Sequence, residues 1–215
     1  MSKKYHKINS VFKRDDSKQH KIIEGEFSVP EIEYLKNNIW EFYEKIDGTN
    51  IRITFIKNKI IFNGKTDEAS IPPKLLYNLN NIFMPQLNKF NEKFIEKQED
   101  ENREIVLYGE GYGKGIQKIG KYYGDDQKFI LFDVKIGNWW LNKSDVKDIA
   151  DYFSIDVVPL IGEGTINDMV SIVRNGFIST FGDFYAEGIV ANPKIQLFTR
   201  SGVRIITKLK HKDFL

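Results

Sequence analysis

The chain has 215 residues, of which 41% are hydrophobic and 13% aromatic, and a formal net charge of +2; this composition supports a packed core and excludes a disordered chain. Cysteine is absent, which excludes disulfides and thiolate metal sites and is compatible with a reducing cytoplasm. No stretch approaches the roughly 18 apolar residues of a membrane span, and the N-terminus lacks an apolar signal segment, so a cytoplasmic protein with no membrane partner is expected.

Residues 1–40 read as a basic segment packed on one domain that spans residues 1–215. This segment carries Lys3, Lys4, Lys7, Lys13, Arg14, Lys18 and Lys21. Residues 41–45 and 51–56 alternate like strands on either side of an Asp47-Gly48 turn, and 59–62 forms a hairpin with the second of them. Over 73–97, Leu75, Leu76, Leu79, Ile82, Phe83, Leu87, Phe90, Phe94 and Ile95 recur at helical spacing, interrupted at Pro85. The charged run 96–103 ends that helix and forms an exposed loop. Segments 104–110, 128–135, 187–191 and 203–208 are rich in β-branched and aromatic residues and read as strands. Two further helices are predicted. One covers 144–153 with Ser144 as its N-cap, and the other 166–175 behind a Thr165 to Asp168 capping-box variant. Strands with interspersed helices and no composition break argue for a single α+β domain.

Five segments carry candidate chemistry. Lys45 stands at a strand end beside a tight turn, in Glu44-Lys45-Ile46-Asp47-Gly48-Thr49-Asn50. A lysine there can act as a nucleophile if its charge is suppressed by desolvation or nearby cations. Such cations occur near the chain end: in a strand, Lys208 and Lys210 share a face and can hold a phosphate, or simply solvate an edge strand. In Leu107-Tyr108-Gly109-Glu110-Gly111 a carboxylate sits among glycines, where it can accept hydrogen bonds from sugar hydroxyls, or where the glycines only make a turn. In Lys128-Phe129-Ile130-Leu131-Phe132-Asp133 an aromatic side chain can stack on a purine or pack in the core. Ala186-Glu187-Gly188-Ile189-Val190 starts a strand with a carboxylate that suits a hydrated Mg²⁺, or is a surface residue.

Together these segments resemble the covalent nucleotidyltransferases, which comprise ATP-dependent DNA ligases, RNA ligases and mRNA capping enzymes. Lys-Ile-Asp-Gly, Leu-Tyr-Gly-Glu-Gly, Phe-Ile-Leu-Phe-Asp, Glu-Gly-Ile-Val and Lys-Leu-Lys follow one another in order across residues 44–210. Glu-Lys-Ile-Asp-Gly-Thr-Asn, Gly-Lys-Thr-Asp-Glu-Ala-Ser-Ile-Pro and Lys-Leu-Lys-His-Lys-Asp-Phe are most similar to RNA ligases of phage and bacterial type. The resemblance implies a nucleotidyltransferase (ligase adenylation domain) fold, α+β, with antiparallel sheets enclosing a nucleotide cleft. It implies that ATP leaves AMP on Lys45, with Mg²⁺ or Mn²⁺ as the metal and Glu187 as its protein ligand. Glu44 recognises adenine, Phe132 stacks on it and Glu110 binds the ribose. Lys208 and Lys210 contact the α-phosphate, and Ile46, Asp47 and Gly48 complete the nucleotide-binding motif. Arg52 or Lys65 contacts the nucleotide or a 5′-phosphate; the family often has arginine where Lys65 lies, a planar fork that lysine lacks.

The implied partner is RNA with 5′-phosphate and 3′-hydroxyl ends, with DNA as an alternative. The basic N-terminus and the 114–128 loop would follow its backbone. Tyr112, Tyr122 and Tyr123 are stacking surfaces or, alternatively, core or rim residues. The chain ends a few residues past Lys210, so no C-terminal OB domain is expected, although DNA ligases and capping enzymes usually have one. The rival readings are a small DNA ligase sealing nicks, a capping-type guanylyltransferase, and a protein that binds nucleotides or RNA ends without turnover.

Overall fold

The computed structural model describes residues 4–17, 20–94 and 103–215. The expected loop at 96–103 lies outside them apart from Arg103, as do Lys3, Lys18 and Ile95. In chain order the elements are β1 (Asn9–Ser10), β2 (Phe12–Asp15), β3 (Lys21–Phe27), α1 (Pro30–Tyr34), β4 (Trp40–Glu44), β5 (Thr49–Ile56), β6 (Lys59–Asn63), α2 (Pro73–Phe83), α3 (Leu87–Phe94), β7 (Ile105–Tyr112), β8 (Lys128–Ile136), β9 (Trp139–Trp140), α4 (Lys143–Phe153), β10 (Asp156–Val157), β11 (Leu160–Gly164), α5 (Ile166–Asn175), β12 (Gly188–Pro193) and β13 (Thr207–Lys210). Three short 3-10 turns cover Met84–Gln86, Gly120–Tyr123 and His211–Phe214. The fold is mixed α+β with mainly antiparallel sheets; the parallel pairs are β1 with β13 and β10 with β8.

The chain divides into two compact units, Met1–Tyr5 with Asp47–Val158 and His6–Ile46 with Pro159–Leu215. The first is built on the sheet β10-β8-β7-β5-β6, with β9 on β8. Alternation along β5 and β7 turns Ile51, Ile53, Phe55, Ile105 and Leu107 to one face, where they meet Leu75, Phe83, Phe90 and Phe153 of the helices. Pro85 splits the apolar 73–94 stretch as expected, because proline lacks the N–H that a continuous helix needs. The break is used: the Phe90 ring stacks on Phe55 at 5.1 Å and on Phe153 at 4.1 Å.

The second unit is built on the sheet β1-β13-β12-β4-β11, with the hairpin β2-β3 apart from it. Its core joins Trp40, Phe42, Ile189, Ala191 and Leu209 to Ile32 of α1 and to Ile166, Met169 and Val173 of α5. The capping box is present: Thr165 accepts from the Asp168 N–H, and Asp168 accepts from the Thr165 N–H.

Two expectations need correction. The N-cap of α4 is Asn142, not Ser144: the Asn142 side chain accepts from the Asp145 N–H, and Ser144 Oγ donates to the same oxygen. The last strand runs Thr207–Lys210 rather than 203–208. Residues 203–205 pair instead with the preceding loop, through Thr199 N to Val203 O and Ile205 N to Leu197 O, both at 2.8–2.9 Å. β13 is also no edge strand, since β1 lies on its other side with Asn9 opposite Thr207 and Ser10 opposite Lys208. Residues 9–11 therefore brace the strand that carries the lysine pair, and the Val11 N–H donates to Lys208 O at 3.1 Å.

Candidate functional site

Three strand ends of the second unit converge on one carboxylate. β12 lies between β4 and β13, with Ile189 opposite Glu44 and Leu209, and Val190 opposite Tyr43 and Lys208. Residues alternate faces along a strand. Phe42, Ile189 and Leu209 therefore enter the core, while Tyr43, Val190, Lys208 and Lys210 line the other face. The register continues one residue past β4, where the Lys45 N–H donates to Gly188 O at 2.9 Å. On the other side of Glu187, the His211 N–H donates to its carbonyl at 2.9 Å. Gly188 is required here: a Cβ on it would stand 2.1 Å from Leu209 O, which no side chain permits.

Glu187 is consequently shared. Lys45 Nζ donates to its Oε2 at 2.7 Å and Lys210 Nζ bonds its Oε1 at 2.7 Å, with the carboxylate only 10% exposed. Lys45 Nζ also lies 3.4 Å from Ile46 O. Lys208 completes the cluster. Burial, then the charges of Lys45 and Lys210, hold its amine below the ordinary lysine range, and Glu187 opposes the shift. The arrangement gathers three lysine amines near one carboxylate.

The sign of the Lys208 shift gives a testable result. The folded protein binds this proton less tightly than the unfolded chain, so the group destabilises the fold at neutral pH. That penalty fades as pH rises through the folded value to the unfolded one. Lys208→Met, which keeps the stem and drops the charge, is expected to raise the melting temperature at neutral pH, with the gain shrinking in melts taken at rising alkaline pH.

Glu44 takes a different position from its neighbour. It is 1% exposed and faces away from Lys45. Its Oε2 accepts from the Thr180 N–H at 2.8 Å and the Thr180 hydroxyl at 2.7 Å, and its Oε1 accepts from the Ser179 hydroxyl. It thus pins the 178–185 loop, whose ends meet in a bridge between Ile178 and Tyr185. Ser179 and Thr180 were not legible as partners in the sequence. Glu44→Ala leaves the buried Ser179 hydroxyl without its acceptor, while the donors of the exposed Thr180 can turn to water, and we expect a loss of about 1–3 kcal/mol, the cost of one orphaned buried group, measured by chemical denaturation.

The remaining candidates belong to the first unit. Gly48 packs on the glutamate–glycine motif: a Cβ there would stand 2.2 Å from Gly111 O and 2.8 Å from Glu110 Cγ. The Asp47 N–H donates to the Tyr123 hydroxyl at 3.1 Å. Glu110 pairs with Asn50 and Ile130 in the sheet and Arg52 with Tyr108, so Glu110 and Arg52 share the face opposite the helices. Arg52 is 1% exposed; its fork donates to Gly64 O at 2.9 Å and to Asp67 Oδ1 at 2.6 Å, holding the segment in which Lys65 is exposed. Phe132 lies at a bulge, where β8 gains a residue opposite Tyr108-Gly109. Its ring meets Tyr5 edge-on at 5.1 Å, and Tyr5 bonds Asp133.

The tyrosines of the 112–123 region divide. Tyr112 and Tyr123 are buried, their rings T-shaped at 5.6 Å, and burial, then Asp156, pushes the Tyr112 hydroxyl up to about 12. They are core residues, so only Tyr122, 51% exposed and 5.0 Å from the Lys121 amine, stays open as a stacking surface. In the basic loop Lys114 is paired with Asp125 at 2.7 Å, and near the C-terminus Lys194 is paired with Glu163 at 2.7 Å.

Among the described residues no group of three or more His, Cys, Asp or Glu side chains could hold a metal ion, and no helix is long and apolar enough to cross a membrane. A divalent ion held by Glu187, as the resemblance implies, would have to take its other ligands from water and phosphate oxygens.

No curated protein matches the chain in sequence. Solved structures do match in fold. Naegleria gruberi RNA ligase, as a variant with ATP and Mn, is 19% identical with a TM-score of 0.63 over 86% of this chain and 54% of that one. The same ligase with PPi gives 19% and 0.64 over 87% and 53%, and a variant with AMP and Mn gives 18% and 0.61 over 85% and 52%. The chain thus spans about half the length of these structures. A family model described as RNA ligase matches residues 38–210, a span that holds all five motifs. The chain belongs to the RNA ligase family.

Proposed function

We propose that the protein is an ATP-dependent RNA ligase that works through a lysyl-AMP intermediate. The observation that carries this reading is the Glu187 carboxylate held at 2.7 Å by both Lys45 and Lys210. A nucleophile candidate, a carboxylate and phosphate-binding amines are assembled by three strand ends in a protein of the RNA ligase family. The Naegleria structures with ATP, AMP, Mn and PPi support nucleotide and divalent metal as the ligands.

In the first step the neutral Lys45 amine attacks the α-phosphorus of ATP. An N–P bond forms, the bond from that phosphorus to the bridging oxygen breaks, pyrophosphate leaves with the electron pair, and the amine proton passes to water. In the second, a 5′-phosphate oxygen of RNA displaces Lys45, which regains a proton, and AMP becomes joined to the RNA end. In the third, a 3′-hydroxyl attacks the 5′-phosphate phosphorus, loses its proton and displaces AMP. Lys208 and Lys210 stabilise charge on the α-phosphate. Glu187 would help hold Mg²⁺ or Mn²⁺, which supplies charge neutralisation on the phosphates.

Glu44 accepts three hydrogen bonds, and a carboxylate offers about four acceptor sites, so one remains for the adenine amino group. The roles of Phe132 on adenine, of Glu110 on the ribose, and of Arg52 or Lys65 on a phosphate rest on the resemblance. So does the assignment of residues 1–215 to a single adenylation domain. The absence of cysteine suits a reducing cytoplasm.

The test is strand joining with ATP and Mg²⁺, offering 5′-phosphorylated, 3′-hydroxyl RNA and matched DNA as single strands and as nicked duplexes. Joined RNA that depends on the 5′-phosphate is expected. Sealing of DNA alone, or no joining by protein that takes up AMP, overturns the RNA assignment.

A further inference from the structure

The N-terminal hairpin β2-β3 holds the end of the chain in a way the proposed reaction does not account for. Arg14, on β2, donates from both terminal nitrogens to Asp213: Nη1 to Oδ1 at 3.0 Å and Nη2 to Oδ2 at 2.9 Å. Asp213 is nearly buried, its side chain 4% exposed. Its Oδ2 also accepts the Lys210 backbone N–H at 3.2 Å. The planar guanidinium, the carboxylate and the Lys210 backbone therefore form one connected unit, and Arg14 Nη1 reaches back to His20 O at 2.9 Å, which ties the fork to its own hairpin. A bidentate pair fixes orientation as well as distance.

The turn that follows Lys210 is held from several further sides. The His211 ring stacks on Tyr185 at 5.5 Å and its Nδ1 lies 2.8 Å from Val173 O. The Arg174 guanidinium lies 4.7 Å from the Phe214 ring and pairs with Glu24 of β3. Of these contacts, Asp213 alone bonds the Lys210 backbone. The Lys210 amine in turn is placed on Glu187.

We infer that Arg14 is a positioning residue for Lys210, acting through Asp213, so that the N-terminal hairpin sets the geometry of the phosphate-binding amine. The inference rests on the ligase reading. It assigns Arg14 to orientation within the protein, in place of the contact with polyphosphate or nucleic acid that its position in a basic run suggests.

The experiment compares wild type, Arg14→Ala, Arg14→Lys, Arg14→Asp and the exchanged pair Arg14→Asp with Asp213→Arg. Each is loaded in single turnover with ATP labelled at the α-phosphate, and the rate is normalised to folded protein by circular dichroism. The saturating rate and the ATP concentration for half-maximal rate are read separately, because loss of positioning lowers the first and loss of simple binding raises the second. Arg14→Ala is expected to lower the saturating rate about tenfold, within the cost of a displaced catalytic group, with the half-maximal ATP concentration changed less than twofold. Arg14→Lys, which cannot make the fork, is expected to fall between wild type and alanine. The exchanged pair is expected to recover most of what Arg14→Asp loses.

A wild-type rate in folded Arg14→Ala, or an exchanged pair no faster than Arg14→Asp, overturns the inference. If the alanine variant does not fold, Arg14→Lys decides, and a wild-type rate in it overturns the inference equally. Wild type that takes up no label is a failure of the ligase reading itself.

Discussion

Lys45→Ala is expected to take up no AMP from ATP labelled at the α-phosphate, while keeping its fold. The loss is expected to be complete and not partial, because in the proposed mechanism the amine nitrogen is the atom to which the phosphorus bonds. Stability is expected to fall by about 1–2 kcal/mol, below the cost of breaking a fully buried pair: Lys45, one residue past β4, keeps a side chain 19% exposed, and Glu187 keeps Lys210 as a partner at 2.7 Å. Lys45→Arg sharpens the test. Arginine retains a positive charge that can pair with Glu187, but a guanidinium cannot lose its proton in a protein, so it cannot attack. Labelling of either variant in thermal-melt-matched samples would show that Lys45 is not the acceptor.

Glu187→Gln is expected to damage both the reaction and the fold. Glutamine keeps the size of the side chain but offers one acceptor oxygen where Lys45 and Lys210 each use one. Three amines then face one another without a counter-charge. We expect a destabilisation of about 1–3 kcal/mol, below the cost of breaking a fully buried pair, since both lysines retain some exposure to solvent. The proton of Lys208 is expected to be held still less tightly, because Glu187 is the group that raises its pKa. The saturating rate of AMP transfer is expected to fall about a hundredfold or more, the scale of losing one electrostatic element of a transition-state site. Stopped-time gels over a range of ATP concentrations measure the rate, and urea titration measures the stability. A rate within tenfold of wild type would remove Glu187 from the centre of the site.

Residues whose neighbours are local in sequence were legible. The strands at 40–44 and 49–56, the Pro85 break and the Thr165 capping box all follow from patterns a few residues long; the segment Lys45–Gly48 between those strands is not a hairpin turn, since β4 and β5 belong to different sheets. The five motifs could be read for the same reason. Contacts between distant residues could not be read. Glu44 meets Ser179 across 135 positions, and Arg14 meets Asp213 across 199; nothing in a single sequence pairs an arginine in a basic run with an aspartate in a basic tail. The strand shift at 203–208 has a different origin. Its β-branched content is real, but the backbone groups of 203–205 are satisfied by the adjoining loop at Leu197 and Thr199, and the sheet takes only Thr207–Lys210. Serine suits an N-cap, so the sequence points to Ser144. Asn142, two residues earlier, reaches the Asp145 N–H first and leaves Ser144 to donate to it. Tyr112 and Tyr123 are buried because the loop folds back on β7, a tertiary outcome that spacing does not contain.

The most direct test is the site of AMP attachment. Protein stripped of bound AMP with pyrophosphate is incubated with Mg²⁺ and ATP labelled at the α- or the γ-phosphate, digested, and mapped by peptide mass. Label from the α-phosphate alone is expected, in acid-labile linkage on the peptide that carries Lys45. Absence of label, label from the γ-phosphate, or attachment at another lysine would contradict the ligase mechanism.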